Sequence, residues 1–100
     1  MVEGAGVTNL DSLELRNTDV SFNTGRANGP SGSSQGGGIW NGSLFGSTPQ
    51  LTLTDTSVTR NAVSGSPGPM LQGGGMFTAF PATLTNAVIK NHTSDQCFGC

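Results

Sequence analysis

Apolar and polar residues alternate in three similar segments of the chain. The segments read LELRNTDVSFN at 13–23, LTLTDTSVTRN at 51–61 and ATLTNAVIKNH at 82–92. In each segment two apolar residues stand two positions apart, which places both side chains on one face of a strand. A β-branched residue follows the second of these by five positions. The pattern predicts a strand, a bend and a second strand in each segment.

Asparagine or aspartate stands at matching positions where these strands end. The side chains of both residue types bond to nearby backbone and tolerate left-handed geometry, which suits a bend. Because like residues recur at like positions, we expect them to form a structural ladder when the repeats stack. His92, or Asn91 after a slip of one residue, takes the last place in the third segment. The predicted ladder residues are Asn17, Asp55 and Asn86 at the first bend, and Asn23 and Asn61 at the second.

A glycine cluster precedes each alternating segment. QGGGIWN at 35–41 and QGGGMFT at 72–78 are nearly identical, and EGAGVTN at 3–9 is a weaker copy. Glycine permits a tight corner and a close approach of stacked backbones. An apolar residue after the glycines begins a further short strand, so each repeat is expected to contribute three. Repetition of this kind indicates a solenoid. The predicted fold class is an all-β, right-handed parallel β-helix of about three coils with no substantial helix.

The chain is predicted to be a single domain, because its 100 residues are close to the lower limit for a stable core. Segments rich in proline, glycine and serine differ in length between repeats and are predicted to be surface loops. A flexible linker between small units is the alternative, and the constant pattern of the flanking strands argues against it. The predicted coils span roughly 1–35, 36–72 and 73–100, with loops at 25–34, 43–49 and 64–71.

Composition agrees with an all-β chain and excludes some partners. Only 10% of the residues are charged and the net charge is −2, so we expect no nucleic-acid partner. No apolar run is long enough to be a transmembrane segment. The start, MVEGAGVTNLDS, lacks the features of a secretory signal and lies in mid-repeat. We therefore expect the chain to be the C-terminal part of a longer product, with an uncapped N-terminal coil through which it self-associates.

The glycine cluster and the alternating segment together resemble a known family. GGG-apolar-aromatic followed by LTLTxTxVxxN looks like the right-handed β-helix repeat proteins of pectate-lyase-like fold that many bacteria secrete. The pattern is also similar to the repeats of polymorphic outer-membrane proteins, in which GG-apolar-apolar alternates with F-x-x-N. Here VSFN at 20–23 and VTRN at 58–61 carry valine in place of that phenylalanine. The resemblance covers essentially the whole chain and implies an extracellular or cell-surface location.

Polysaccharide lyases and hydrolases share this fold, so the resemblance raises the question of a catalytic site. Asn17-Thr18-Asp19 matches the first polygalacturonase motif, but the paired-Asp, Gly-His-Gly and Arg-Ile-Lys motifs that accompany it are missing. Calcium needs several clustered carboxylates, and here the acidic residues are spread over the repeats. We predict no catalytic residue, no metal site and no cofactor. The acidic residues are Glu3, Asp11, Glu14, Asp19, Asp55 and Asp95.

The C-terminal tail holds the two cysteines, Cys97 and Cys100, close to His92. C-x-x-C with one histidine supplies three zinc ligands at most and lacks the second pair that zinc sites of this type have. A disulfide between Cys97 and Cys100 is the stronger interpretation for an extracellular protein. It is expected to hold the terminal coil in place. His92 is expected to replace asparagine in the ladder.

Trp40 and Phe77 occupy the same position after the glycines. Each follows an inward apolar residue, so alternation turns both rings outward, where they are expected to form a two-step ridge. Such a ridge binds the apolar faces of carbohydrate rings. Phe45 and Phe80 lie in the adjoining loops. The alternative is that loop residues pack over the two rings and shield them from solvent.

The sequence favours a non-enzymatic protein over an enzyme. Our first interpretation is an extracellular or cell-surface β-helix segment with a structural or adhesin-like role and no catalytic site of its own. The alternative is the C-terminal part of a polysaccharide lyase or hydrolase whose active site lies in upstream coils. A third interpretation is a carbohydrate-binding face. The expected partner is a polysaccharide or a glycan of a host or cell surface.

Overall fold

The computed structural model describes residues 2–3, 5–28, 33–43, 46, 48–66, 70–90, 92 and 96–99. These residues form short β-strands and no helix, and every pair of neighbouring strands is parallel. The prediction of an all-β chain is therefore confirmed for this part of the molecule. The strands are β1 Val2–Glu3, β2 Val7–Asn9, β3 Ser12–Arg16, β4 Asp19–Ser21, β5 Thr24–Asn28, β6 Ser33–Gln35, β7 Ile39–Asn41, β8 Gln50–Thr54, β9 Ser57–Thr59, β10 Ala62–Ser66, β11 Met70–Gln72, β12 Met76–Thr78, β13 Ala82–Thr85, β14 Val88–Lys90 and β15 Cys97–Phe98.

The strands are distributed over five sheets, and neighbours in a sheet come from successive repeats. The chain passes through the sheets in the same order each time, so β2 to β6 are followed by β7 to β11 in matching sheets. The strand orders are β1-β6-β11 in sheet 1, β15-β12-β7-β2 in sheet 2, β13-β8-β3 in sheet 3, β14-β9-β4 in sheet 4 and β10-β5 in sheet 5.

The register places equivalent residues of the repeats side by side. Leu53 is paired with Leu15 on one side and with Leu84 on the other. In sheet 4, Val58 pairs in the same way with Val20 and Ile89. Leu53 is fully buried, whereas Leu84 in the third repeat is 42% exposed. The middle repeat therefore holds most of the core, which consists of Val20, Ile39, Leu51, Leu53, Val58 and Met76.

The structure corrects the number of strands in a repeat. Three were predicted, but the described residues of the first two repeats form five each, because β5, β6, β10 and β11 overlap segments 25–34 and 64–71 that were predicted to be loops. Strand β5 pairs with β10 over five residue pairs although it contains glycine and arginine. A parallel neighbour of equal length satisfies the backbone groups regardless of intrinsic propensity. Residues 29–32 and 67–69 lie outside the described residues. In segment 43–49, the described residues 43, 46, 48 and 49 are not in a strand.

Candidate functional site

The first bend of each repeat has the left-handed backbone conformation that the sequence predicts. Asn17, Asp55 and Asn86 have φ angles of 49°, 50° and 52°. The Asn17 backbone N–H donates to the Thr54 carbonyl at 3.0 Å, and the Asn86 carboxamide donates to the Asp55 carboxylate at 2.7 Å. All three bend residues are exposed. All three residue types suit the turn, and the side chains of Asn86 and Asp55 link neighbouring repeats, so the acidic Asp55 belongs to the bend.

The second predicted ladder lies inside the molecule and joins three repeats. The Oδ1 atom of Asn61 accepts hydrogen bonds from the backbone N–H of Asn23 at 2.9 Å and from its carboxamide at 3.0 Å. The Asn61 carboxamide nitrogen donates to the Val20 carbonyl at 2.9 Å. The Asn61 side chain thus satisfies backbone groups of the preceding repeat, and it is 1% exposed.

His92 makes the equivalent contacts one repeat further on. Its Nδ1 accepts the backbone N–H of Asn61 at 3.0 Å, and its Nε2 lies 2.7 Å from the Val58 carbonyl oxygen. A carbonyl only accepts, so Nε2 carries the ring proton and Nδ1 is left as the acceptor. The backbone N–H of His92 donates in turn to Gln96 Oε1 at 3.1 Å. The ladder therefore runs from Asn23 through Asn61 and His92 to Gln96.

The glycine clusters make room for this ladder. A Cβ atom on Gly38 would lie 2.7 Å from the Asn61 Nδ2 atom and 2.6 Å from the Gly75 carbonyl oxygen. On Gly75 it would lie 2.3 Å from the His92 ring. Such distances are too short for any side chain, so glycine is required by close approach. The glycine clusters and the ladder positions therefore depend on each other, because the ladder side chains fill the space that the glycines leave.

A second buried polar ladder was not predicted. The Asn9 carboxamide donates to the Asn41 Oδ1 at 2.8 Å, and the Asn41 carboxamide donates to the Thr78 hydroxyl at 2.9 Å. The three residues are at most 5% exposed. The signal was present, because each residue stands three positions after the last glycine of its cluster. Asn41 also begins an Asn-Gly-Ser sequence that matches the N-glycosylation pattern, but its burial leaves no access for that modification.

Trp40 and Phe77 stack on each other as neighbouring residues of sheet 2. Their ring centroids are 6.2 Å apart with an interplanar angle of 7°, and Phe77 stacks on Phe98 at 5.2 Å. The predicted exposed ridge is wrong, because Trp40 is only 4% exposed and Phe77 9%. The Trp40 indole N–H donates to Gln35 Oε1 at 3.2 Å.

Two features contribute to the low exposure of Trp40. The indole of Trp40 lies against Gly42, where an added Cβ would be 2.5 Å from the ring. Gln35 also donates to Gln72 at 2.8 Å, so a pair of glutamines borders the stack. Phe80 is half-buried, and Phe45 lies outside the described residues. Glycan binding at Trp40 and Phe77 stays a prediction, but neither ring offers an open face of the kind assumed for it.

The remaining candidate groups do not converge in the part of the chain that is described. Glu14 forms an exposed ion pair with Arg16 at 3.0 Å, and Asp11, Asp19 and Asp55 are also exposed. The side chains of Glu3 and Asp95 lie outside the described set. Cys97 packs against the core from strand β15. Its predicted disulfide with Cys100 stays a prediction, because Cys100 is not among the described residues.

The described ranges also offer no enclosed site. Within them, no three His, Cys, Asp or Glu side chains approach closely enough to hold a metal ion. No cavity is found around these residues. They form no helix with the length and apolar character needed to cross a membrane. Comparisons of the sequence with models of protein families, with curated proteins and with solved structures find no match.

Proposed function

We propose that the chain is a segment of a right-handed parallel β-helix, located outside the cell or on its surface. Its role is structural or adhesin-like, and it has no catalytic site of its own. The observation that carries this proposal is the continuity of side-chain ladders from repeat to repeat. Apolar, amide and aromatic side chains each stack on their counterparts and fill the interior.

The strand topology supports the β-helix. Consecutive strands of one repeat belong to different sheets, and each sheet collects equivalent strands of successive repeats. The shortest dimension of the molecule is 17 Å, which corresponds to about three to four spacings of ~4.8 Å between stacked strands. The general preference for right-handed connections between parallel strands supports the right-handed sense.

The surface supports a structural role. Most exposed positions of sheets 3 and 4 carry polar or charged side chains, with Leu84 and Val88 of the third repeat as apolar exceptions, and no cavity interrupts the described part of the molecule. A partner therefore meets a broad lateral face made of side chains. We propose a polysaccharide or a cell-surface glycan as that partner, because such chains bind along extended faces without a deep pocket.

The strands at the N-terminal side of the stack support self-association. Strands β2, β3, β4 and β5 are the outer strands of sheets 2, 3, 4 and 5. An outer strand presents backbone N–H and C=O groups that another chain can pair with. We propose that copies of the chain associate through this edge. Sedimentation at tens of micromolar protein tests this: oligomers are expected, and a clean monomer would contradict it.

The architecture is tested by inserting a second copy of residues 39–75 after Gly75. In a β-helix each added repeat contributes a further stacking interface, so the longer protein is expected to unfold cooperatively at a higher temperature. An insertion of the same residues in scrambled order is the control. If the duplicated chain is no more stable than the scrambled one, the β-helix proposal fails.

The absence of catalysis is tested on the full chain with a polysaccharide panel, with and without calcium. Release of neither reducing ends nor unsaturated products is expected. Turnover of any polysaccharide would contradict the non-enzymatic role while leaving the architecture intact.

A further inference from the structure

Both bends of the repeat have left-handed backbone geometry, but only the first bend uses the residue types that favour it. Phe22 and Arg60 occupy equivalent places at the second bend and have φ angles of 59° and 55°. A large aromatic residue is disfavoured in this left-handed region, where asparagine, aspartate and glycine are suited. At the first bend the chain does use Asn17, Asp55 and Asn86. The backbone shape alone therefore does not explain why Phe22 stands at this corner.

Packing does not explain Phe22 either. Its side chain is 72% exposed, the highest value of the large apolar residues in the described part of the chain. The guanidinium carbon of Arg60 lies 5.5 Å from the centre of the Phe22 ring, within cation–π range. A residue that is strained in backbone and exposed in side chain is more common at functional sites than elsewhere.

The neighbouring groups add charge and hydroxyls to the same corner. The Arg60 backbone N–H donates to the Lys90 carbonyl at 3.4 Å. Register pairs Thr59 with Ser21 and Lys90. Lys90 is exposed, while Ser21 and Thr59 are half-buried. Ser21, Thr59 and Lys90 lie on the outer face by alternation along each strand. The residues that precede them, Val20, Val58 and Ile89, pack in or against the core. The acidic residue next to these three is Asp19, which stands two residues before Ser21 on strand β4 and pairs with Ser57.

We propose that this corner surface, defined by Phe22, Arg60 and Lys90 with the hydroxyls of Ser21 and Thr59, binds an anionic saccharide. The apolar face of a pyranose ring stacks on the free face of Phe22. The two cations bind the acidic group, a carboxylate or a sulfate, of a neighbouring sugar unit in the same saccharide chain, and the hydroxyls bind sugar oxygens. The inference rests on the proposed use of lateral surfaces and names the kind of glycan and the residues that contact it.

The geometry favours a saccharide over an acidic peptide. Strand β9 is paired on both sides, with β4 and with β14, so its backbone cannot accept a further strand. The outer edge of β4 can pair with a peptide strand, but that strand would lie beside the sheet and would not cover Arg60 and Lys90, whereas a sugar on the outer face needs only side-chain contacts. Stacking on Phe22 also requires that the ligand carry a ring, so a negative charge alone is not enough for tight binding.

The test measures binding of the full chain to four matched probes by calorimetry. Dextran, dextran sulfate and carboxymethyl-dextran share one sugar backbone and differ in charge, and poly-glutamate is an acidic peptide. Binding to at least one charged dextran and none to neutral dextran is expected, and which of them binds identifies the acidic group. No binding to either charged dextran, or equally tight binding to poly-glutamate, would overturn the inference.

Phe22→Asn and Arg60→Asn are the decisive variants, since asparagine suits the left-handed bend. Each is expected to weaken saccharide binding by about tenfold or more. Phe22→Asn is also expected to raise the melting temperature by about 4 °C, because relief of the strained bend outweighs the lost ring contact. Arg16→Asn, an exposed cation on sheet 3, is the control and leaves binding unchanged. Retained binding in Phe22→Asn, or a lower melting temperature, would overturn the inference.

Failure here is distinguishable from failure of the proposed function. If no saccharide binds but the chain unfolds cooperatively and the duplicated repeat stabilises it, only the corner surface is refuted. If the duplicated repeat fails, the architecture is refuted whatever the probes show.

Discussion

The imidazole of His92 occupies the place of an asparagine carboxamide against Asn61. Nδ1 of His92 accepts the Asn61 backbone N–H at 3.0 Å, as Asn61 Oδ1 accepts the Asn23 backbone N–H at 2.9 Å. Nε2 of His92 donates a hydrogen bond to the Val58 carbonyl, as the Asn61 amide nitrogen donates to the Val20 carbonyl. A histidine near two cysteines invites a metal-site interpretation, but both of its nitrogens are already engaged with the backbone. His92 is therefore a structural residue of the ladder.

Replacement of His92 tests this role directly. His92→Asn restores the residue of the other repeats and is expected to leave the free energy of unfolding within about 1 kcal/mol of the parent. His92→Leu leaves the buried N–H of Asn61 without an acceptor and is expected to cost about 1–3 kcal/mol. Urea unfolding measures both. A His92→Leu variant as stable as His92→Asn would show that the hydrogen bonds to the ring contribute nothing.

The same variants separate the structural role from a metal site. Because both nitrogens of His92 are occupied, added zinc or a chelator is expected to leave the melting temperature of the parent chain unchanged. A zinc-dependent rise that His92→Asn abolishes would contradict the ladder assignment.

Gly38 tests the packing between glycine clusters and the asparagine ladder. In Gly38→Ala the new Cβ would lie 2.6 Å from the Gly75 carbonyl oxygen, and the expected cost is about 3 kcal/mol or more. Gly46→Ala is the matched control, since Gly46 has a φ of +78° but nothing within 4 Å of an added Cβ. Its left-handed conformation alone is expected to cost about 1–2 kcal/mol. Thermal unfolding of both variants gives the difference, and equal costs would refute the close-approach argument.

The aromatic stack predicts a gradient of stability effects. Phe77 is flanked by rings on both sides, so Phe77→Ala is expected to cost about 3–5 kcal/mol. Phe98 is 41% exposed and flanked on one side, so Phe98→Ala is expected to cost about 1–2 kcal/mol. Denaturant unfolding measures this order. A larger loss of stability in Phe98→Ala than in Phe77→Ala would contradict the placement of Phe77 between two rings.

Trp40 reports on the same stack without a substitution. Because its indole is 4% exposed, its fluorescence is expected to resist quenching by iodide in the folded chain and to become quenchable on unfolding. Ready quenching in the folded chain would contradict the burial of Trp40 and support the exposed ridge that the sequence predicted.

The predicted disulfide is tested by intact mass. The oxidised chain is expected to be lighter than the reduced chain by two hydrogens, with Cys97 and Cys100 joined in one peptide. Since the closed loop is short, reduction is expected to cost at most about 2 kcal/mol. Free thiols in freshly purified protein that react with a maleimide would contradict the pairing.

The features that recur in each repeat could be predicted from the sequence. The features that depend on contacts between distant segments could not. The spacing of Asn23 and Asn61 indicated a ladder because like residues recur at a fixed place in each repeat. The bend at Asp55 followed from residue type, since few other residues accept its φ of 50°. His92 was assigned to the ladder by position alone, and its ring nitrogens meet the required backbone groups.

Burial of the aromatic rings was not predictable from alternation. Alternation separates Trp40 from the core cluster, but its exposure depends on Gly42 and Gln35, which contact the ring from neighbouring segments. Phe98 was missed as part of the stack because strand β15 has only two residues and pairs with β12 across an intervening segment. Strands β5 and β10 were missed because their pairing comes from the stacked neighbour and their own sequences favour turns.

The central claim is that equivalent residues of successive repeats stack in parallel register, and methyl NMR tests it most directly. Leu53 lies between Leu15 and Leu84, which are 38 and 31 residues away in the sequence. We predict nuclear Overhauser effects from the Leu53 methyl groups to the methyl groups of both leucines. If Leu53 shows effects only to residues of its own repeat, the stacked arrangement is contradicted.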